Sequence, residues 1–277
     1  MGDPREELRY MAASLRAYVE WQLDTGALGI PKAARSRPVA RSAPVESELA
    51  PPAASIVAPV LTAPPALRAV EVLAPQAPVD RAVRLPLLAK EVAGCTKCGL
   101  SMTRTKVVVF RGNPEASICF VGEAPGEEED ATGFPFVGRA GQLLDRMITA
   151  MGLVPQRDVY ICNIVKCRPP NNRGPTDQEM ATCMPYLHEQ LALVAPKVIV
   201  ALGNTAVAGL LGSKVGITRL RGSWKLYRTT PVMPTYHPSY LLRPSGQQAE
   251  ARRQVWEDLQ AVMSQLGLPP RPQRKPG

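Results

Sequence analysis

The sequence has very little histidine: only His188 and His237 offer an imidazole that titrates near neutral pH. It also has no apolar core near its charged N-terminus, which speaks against a secretory signal. No clean membrane span is present. The longest uncharged run, Leu49 to Leu67, holds Pro51, Pro52, Pro59, Pro64 and Pro65, which forbid an intact helix. Neither the Walker pattern nor G-x-G-x-x-G occurs, so the standard phosphate-cradling loops are excluded. Cysteine is modest, with six residues. In a cytoplasmic chain such cysteines are metal ligands or buried thiols sooner than disulfides.

What is present is a basic charge, unevenly placed. Residues 1–84 carry ten basic and nine acidic side chains, a balance of +1, while residues 85–277 carry 23 and 15, a balance of +8. A basic folded part points to a polyanionic partner, nucleic acid first.

The chain divides into four parts. Residues 1–27 read as an amphipathic helix, with Leu8, Met11, Leu15, Val19 and Leu23 at near-heptad spacing. Such a helix has no core of its own and suits docking to a partner. Residues 28–84 hold ten prolines and read as a disordered tether. Residues 85–267 read as the folded domain, and 268–277 as a disordered basic tail.

Within the folded domain, Leu85 to Val92 predicts a short helix and Val107 to Phe110 an edge strand. Apolar runs at Ser117–Val121, Val159–Val165, Lys197–Leu202 and Pro231–Pro234 predict four further strands. Helices are expected from Gly138 to Met151, from an N-cap at Thr176 with Glu179 as its capping-box partner to Leu193, from Gly203 to Leu211, and from Gln248 to Leu266. Arg219 to Tyr227 reads as a hairpin. Alternating strands and helices imply an α/β fold, a mostly parallel sheet with helices on both faces, and ligands at the carboxyl ends of its strands. Three stretches fall at such ends: Gly122-Glu-Ala-Pro-Gly126 with Gly133-Phe-Pro-Phe-Val-Gly138, then Asn163-Ile-Val-Lys-Cys167-Arg-Pro-Pro, and His237-Pro-Ser-Tyr240.

Cys95 and Cys98 form a C-x-x-C knuckle without the βαβ surroundings of a redox motif. With Cys167 and Cys183 they make four thiols, enough for a tetrahedral zinc or an iron–sulfur cluster, and spacing does not choose between them. Cys119 and Cys162 sit inside apolar strand runs and read as core thiols.

The three ordered stretches and the four cysteines together resemble the family 4 uracil-DNA glycosylases, the iron–sulfur branch of that superfamily. The resemblance covers about Leu85 to Leu266. It implies a three-layer α/β/α fold with a central parallel sheet. It implies release of uracil from DNA by hydrolysis of the N-glycosidic bond, leaving an abasic site for base excision repair. It also implies a [4Fe–4S] cluster on Cys95, Cys98, Cys167 and Cys183.

On this resemblance, a flipped uracil stacks on Phe136 and is read by Asn163, whose amide matches N3–H and O4. Gly122 and Ala124 line the pocket, and Glu129 crowds the C5 face against thymine. His237 stabilises the negative charge on the departing base. Ala124 stands where a better-known branch has a water-positioning aspartate, so Glu123 and then Asn172 are the candidates for that role. Leu241 or Leu242 of the loop Ser239–Arg243 is a candidate wedge in the base stack, Lys166, Arg168, Arg173 and Arg243 are candidate phosphate contacts, and Ser239 belongs to the same DNA-binding loop. The covalent-histidine branch of the superfamily is disfavoured because Arg168 to Thr176 contains no histidine. A non-catalytic DNA-binding module is the alternative from another class. The implied partners are uracil-containing DNA and a repair or replication protein on the N-terminal helix. The expected setting is a cytoplasmic, nucleoid-associated monomer.

Overall fold

The computed structural model describes residues 81–243 and 248–269. The N-terminal helix, nearly all of the tether and most of the C-terminal tail lie outside the described residues. The first described helix, α1 (Arg81–Ala93), begins four residues before the expected domain start and buries Leu85, Leu88 and Val92.

A six-stranded sheet organises the domain. Its strands are β1 (Arg111–Gly112), β2 (Ile118–Gly122), β3 (Val159–Asn163), β4 (Val198–Leu202), β5 (Lys225–Tyr227) and β6 (Thr230–Thr235), in the order β1-β3-β2-β4-β6-β5. The four inner strands β3, β2, β4 and β6 run parallel, and the short edges β1 and β5 are antiparallel. Every residue of β2, β3 and β4 is buried. This is why they read as continuous apolar runs: helices cover both faces of a parallel sheet.

The remaining helices are α2 (Glu127–Thr132), α3 (Arg139–Ala150), α4 (Asp177–Val194), α5 (Gly203–Leu211), α6 (Ile217–Leu220) and α7 (Gln248–Gln265). Leu144 and Ile148 of α3, Leu187 and Leu191 of α4, and Val255, Leu259 and Val262 of α7 enter one core with the strands. Thr176 caps α4 in the expected box with Glu179. Among the described residues, no helix is long and apolar enough to cross a membrane.

Two expected elements differ. Val107–Phe110 is not a strand. Val108 donates one hydrogen bond, to the Lys166 carbonyl at 2.8 Å, and the ladder is formed later by Arg111 and Gly112. The expected hairpin at Arg219–Tyr227 is shifted: Leu220 ends α6, and only Lys225–Tyr227 pairs, with Thr230–Val232.

The parallel register brings the carboxyl ends of the inner strands to one edge. Gly122 faces Asn163 across β2 and β3, and Leu202 faces Thr235 across β4 and β6. Asp258 of α7 anchors the last of these ends. It accepts from Thr235 Oγ1 at 2.6 Å and pairs with Arg221 at 2.5 Å. Burial pushes the Asp258 carboxyl up, and its bonds to Thr235 and Arg221 oppose that.

Candidate active site

Gly122 is the floor of a polar pocket because nothing larger fits. A β-carbon there would lie 2.4 Å from the Phe136 ring and 2.5 Å from Asn163 Oδ1. The ring and the amide therefore converge over the bare backbone at the end of β2. Asn163 is 1% exposed, and its Oδ1 is buried with no hydrogen-bond partner. A buried acceptor in that state costs about 1–3 kcal/mol, which a ligand carrying an N–H would relieve.

Phe136 and His237 pack beside each other at this site, their ring centroids 5.6 Å apart and tilted by 30°. His237 follows β6 and caps a 3-10 turn, Pro238–Leu242. Its Nδ1 accepts the Ser239 backbone N–H at 3.1 Å and lies 2.8 Å from Ser239 Oγ. An acceptor Nδ1 leaves the proton of the neutral ring on Nε2. Burial, aided by the charge of Arg243, lowers the His237 pKa to about 4. The site therefore holds a neutral imidazole with an Nε2–H donor at physiological pH. Gly203 fits the start of α5 against this histidine: at φ +86° its missing β-carbon would lie 3.0 Å from His237 Cβ.

Phe136 has a left-handed backbone, φ 57°, which an aromatic residue adopts only when its surroundings impose it. Two side chains do so. Glu129 Oε1 accepts the N–H groups of Val137 and Gly138, each at 2.9 Å, while Oε2 accepts that of Gly126 at 3.1 Å. Arg111 donates to the Pro135 carbonyl at 2.7 Å and the Phe136 carbonyl at 3.2 Å, and pairs with Asp145. Both Glu129 oxygens are thus engaged in tying the glycine loop to the aromatic loop. Ala124, next to Glu123, is partly buried and packs against the core.

The other candidates separate. Glu123 follows Gly122 directly, and its carboxylate takes a short hydrogen bond from Thr205 Oγ1 of α5. Asn172 does not join this group. It lies exposed on the proline loop, and its Oδ1 accepts from Arg168 at 2.7 Å. Arg173 forms a two-pronged pair with Glu179 at 2.7 and 2.8 Å, which lowers the Glu179 pKa to about 2. Arg168 also reaches Glu127 at 3.5 Å.

Two expected DNA contacts are corrected. Lys166 is wholly buried, with its ammonium 2.6 Å from the Asn163 carbonyl, so no phosphate can reach it. Leu241 is 2% exposed and belongs to the hydrophobic core, because the 3-10 turn points Pro238 and Leu241 inward together. Tyr240, Ser239 and Arg243 are the exposed residues of that turn. Acidic residues at the start of α2 divide as well. Glu127 and Glu128 are exposed, but Asp130 is buried and accepts from the Thr105 and Lys106 N–H groups at 2.9 to 3.3 Å.

The supporting residues Arg111, Thr205, Asp130 and Asp258 carried no motif. Only Glu129 left a local trace, since it stands three residues after the Gly126 N-cap, where a capping partner belongs.

The four cysteines read as metal ligands come from separate elements. Cys95 and Cys98 follow α1, Cys167 follows β3, and Cys183 lies on α4. Burial pushes the Cys167 and Cys183 thiols up, and the nearby thiols add to that: Cys98 and Cys95 for Cys167, Cys167 and Cys98 for Cys183. Arg104 donates to Cys167 Sγ at 3.1 Å. Among the described residues, no group of three or more His, Cys, Asp or Glu side chains is placed to hold a metal ion. Cys119 and Cys162 are free thiols buried in β2 and β3 and share a hydrogen bond.

Comparison with known proteins places these features in a wider group. The model of the uracil DNA glycosylase superfamily matches residues 109–260. The Type-4 uracil-DNA glycosylase of Thermotoga maritima is 50% identical over 184 residues, covering 65% of this chain and 93% of that protein. The Type-4 uracil-DNA glycosylase of Sulfurisphaera tokodaii is 46% identical over 167 residues, 57% of this chain and 76% of that one. That of Saccharolobus solfataricus is 41% identical over 194 residues, 67% and 88% respectively.

Proposed function

The chain belongs to the uracil DNA glycosylase superfamily, and on that footing we propose that it releases uracil from DNA by hydrolysing the N-glycosidic bond of deoxyuridine. The observation that carries this reading is the buried, unpartnered Oδ1 of Asn163. An acceptor there selects a base with N3–H. Cytosine has a lone pair at N3 and would leave the amide oxygen unsatisfied, which such sites reject strongly.

The steps follow from the residues in place. A flipped uracil stacks on Phe136 with its edges toward Asn163 and His237. Gly122 leaves room for the Phe136 ring and the Asn163 amide, which any side chain there would meet. As the glycosidic bond breaks, electrons move onto the uracil carbonyl oxygens. The Nε2–H of neutral His237 donates to O2 and stabilises that charge as it forms. A neutral donor suits this role because it keeps its proton while the anion leaves. Glu123, held by Thr205, orients the attacking water and offers negative charge to the cationic sugar. Glu129 and Arg111 hold Phe136 in its strained backbone, so the stacking surface exists before the base arrives. Ser239, Tyr240 and Arg243 of the exposed turn, and Arg168 of the proline loop, face the DNA backbone.

Four cysteines are the donor set of an iron–sulfur group, and Arg104 donates to one of them. A cluster takes one cysteine per iron, so its sulfurs need not converge on a point as those around one zinc do. Cys95, Cys98, Cys167 and Cys183 would hold a [4Fe–4S] cluster, which would brace the C-x-x-C loop and the proline loop from outside the pocket. We assign the protein to the cytoplasm as a monomer working on chromosomal DNA, with residues 1–27 available to a repair or replication protein.

Incubation with an oligonucleotide carrying one deoxyuridine tests the reading. Free uracil and an alkali-sensitive abasic site are expected, with no release from a thymine control. Tight binding without any released base would overturn it in favour of a DNA-binding module.

A further inference from the structure

A uracil that turns out of a duplex leaves a gap in the base stack, and the lost stacking disfavours the open state unless a side chain takes its place. Leu241 is poorly placed for that. Its side chain belongs to the hydrophobic core, Arg252 of α7 reaches its carbonyl at 3.5 Å, and α3 and α7 both pack against its turn.

The period of the turn points to another residue. Side chains at i and i+3 of a 3-10 turn eclipse each other. Pro238 and Leu241 share one face, and both are buried. His237, Tyr240 and Arg243 share a second face. The Tyr240 N–H bonds the His237 carbonyl at 2.9 Å, and the Arg243 N–H bonds the Tyr240 carbonyl at 3.4 Å. Tyr240 and Arg243 are exposed, while His237 is half-buried at the base pocket. One face of the turn thus carries an imidazole, an aromatic ring and a cation in succession, starting at the pocket.

Tyr240 is 37% exposed, yet it is braced. Its ring stacks on that of Tyr236, with centroids 4.9 Å apart and planes 29° apart, and Tyr236 is buried. Arg221 lies 5.8 Å from the Tyr236 ring and is itself fixed by Asp258 and by the Gln254 carbonyl at 2.6 Å. Of the exposed residues of this turn, Ser239 and Arg243 suit phosphate oxygens. Tyr240 brings a ring, and every base has a π face on which a ring can stack.

We propose that Tyr240 inserts its ring into the gap that uracil leaves and stacks on the neighbouring base, while His237 meets the flipped base and Arg243 the adjoining phosphate. This rests on the reading of the chain as a uracil-DNA glycosylase. The ring carries the role, and Tyr236 holds it ready.

The experiment uses full-length protein and two duplexes. One has deoxyuridine opposite adenine. The other has it opposite a pyrene nucleotide, whose wide ring system fills the gap from the partner strand. Single-turnover uracil release is measured for wild type, Tyr240→Ala, Tyr240→Phe, Leu241→Ala and Leu242→Ala. On the adenine duplex Tyr240→Ala should lose about ten-fold or more, the range expected when one base–aromatic stack is removed. It should still melt cooperatively. Tyr240→Phe keeps the ring and should recover most of that loss. On the pyrene duplex the deficit of Tyr240→Ala should shrink to less than about three-fold, a rescue that a merely structural role would not show. An undiminished rate for Tyr240→Ala on the adenine duplex would overturn the proposal, as would a deficit that pyrene leaves unchanged. Pyrene rescue of Leu241→Ala or Leu242→Ala in its stead would overturn it in favour of an aliphatic wedge. Wild type that releases no uracil from either duplex would overturn the glycosylase reading itself, and would be seen before any variant is compared.

Discussion

The base pocket and the proline loop lie at the same edge of the sheet, and each presents an asparagine. Their polar groups are committed in opposite ways. Asn163 is buried with its Oδ1 unpartnered, beside a histidine whose tautomer Ser239 has already fixed. Asn172 is exposed, and its Oδ1 is taken by Arg168, while the neighbouring Arg173 is taken by Glu179. The pocket carries unmet hydrogen-bonding capacity at a cost in stability, which a bound base with an N–H would offset. The loop has met its own needs. Unsatisfied polarity in a shaped, water-poor pocket is therefore a better guide to chemistry here than residue type.

The sharpest way to break that contrast is to fill the pocket. Gly122→Ala places a methyl against the Phe136 ring and Asn163 Oδ1, both held by buried neighbours. Misplacement of about 1 Å can cost 10²-fold, so turnover should fall by about that factor or more in a uracil-release assay. The purified protein should still melt cooperatively.

His237→Ala removes the donor to the leaving base and should lower kcat by about 10²–10³-fold, measured under single-turnover conditions. The pH profile sharpens the assignment. The folded pKa of about 4 lies below the ordinary 6.5, and burial is the main cause. Between those values the unfolded chain binds more protons than the folded one, so stability falls as pH drops from 6.5 toward 4. The ring in the folded protein stays neutral through that window. The acid limb of kcat that depends on His237 should therefore lie near pH 4; a limb near 6.5 would contradict an imidazole held neutral in the folded protein.

The smallest effects belong to the loop. Asn172→Ala should change turnover by no more than about two- to three-fold, as expected of an exposed substitution. Arg173→Ala should let Glu179 rise from about 2 toward the ordinary carboxylate value. The support this pair gives the folded state is present above pH 4.5 and fades as pH falls toward 2. Thermal melts at pH 7 and pH 3 would read the difference.

Much of this architecture was legible in the residues. The inner strands announced themselves as apolar runs because both faces of a parallel sheet are covered. Thr176 and Glu179 marked the start of α4 by a local bond, and Gly122, Asn163 and His237 fell at strand ends that the topology gathers. What stayed hidden depends on partners far along the chain. Lysine at 166 looked like a phosphate contact because sequence gives charge without burial. Leu241 looked like a wedge because its exposure is decided by how the 3-10 turn sits on the core. Val107–Phe110 has the composition of a strand, yet the backbone offered to it provides only a single bond from Val108 to Lys166. Asn172 and Asn163 are the same residue type, and only the fold reveals that Arg168 has already claimed one of them.

The most direct test of the account sets Asn163→Ala beside Asn172→Ala on one deoxyuridine oligonucleotide, measuring single-turnover uracil release and DNA affinity together. The expected result is a loss of about 10²-fold or more for Asn163→Ala with affinity nearly intact, and near-wild-type release for Asn172→Ala. Equal release by the two variants, or a large loss confined to Asn172→Ala, would contradict the claim that the buried, unpartnered amide reads the base.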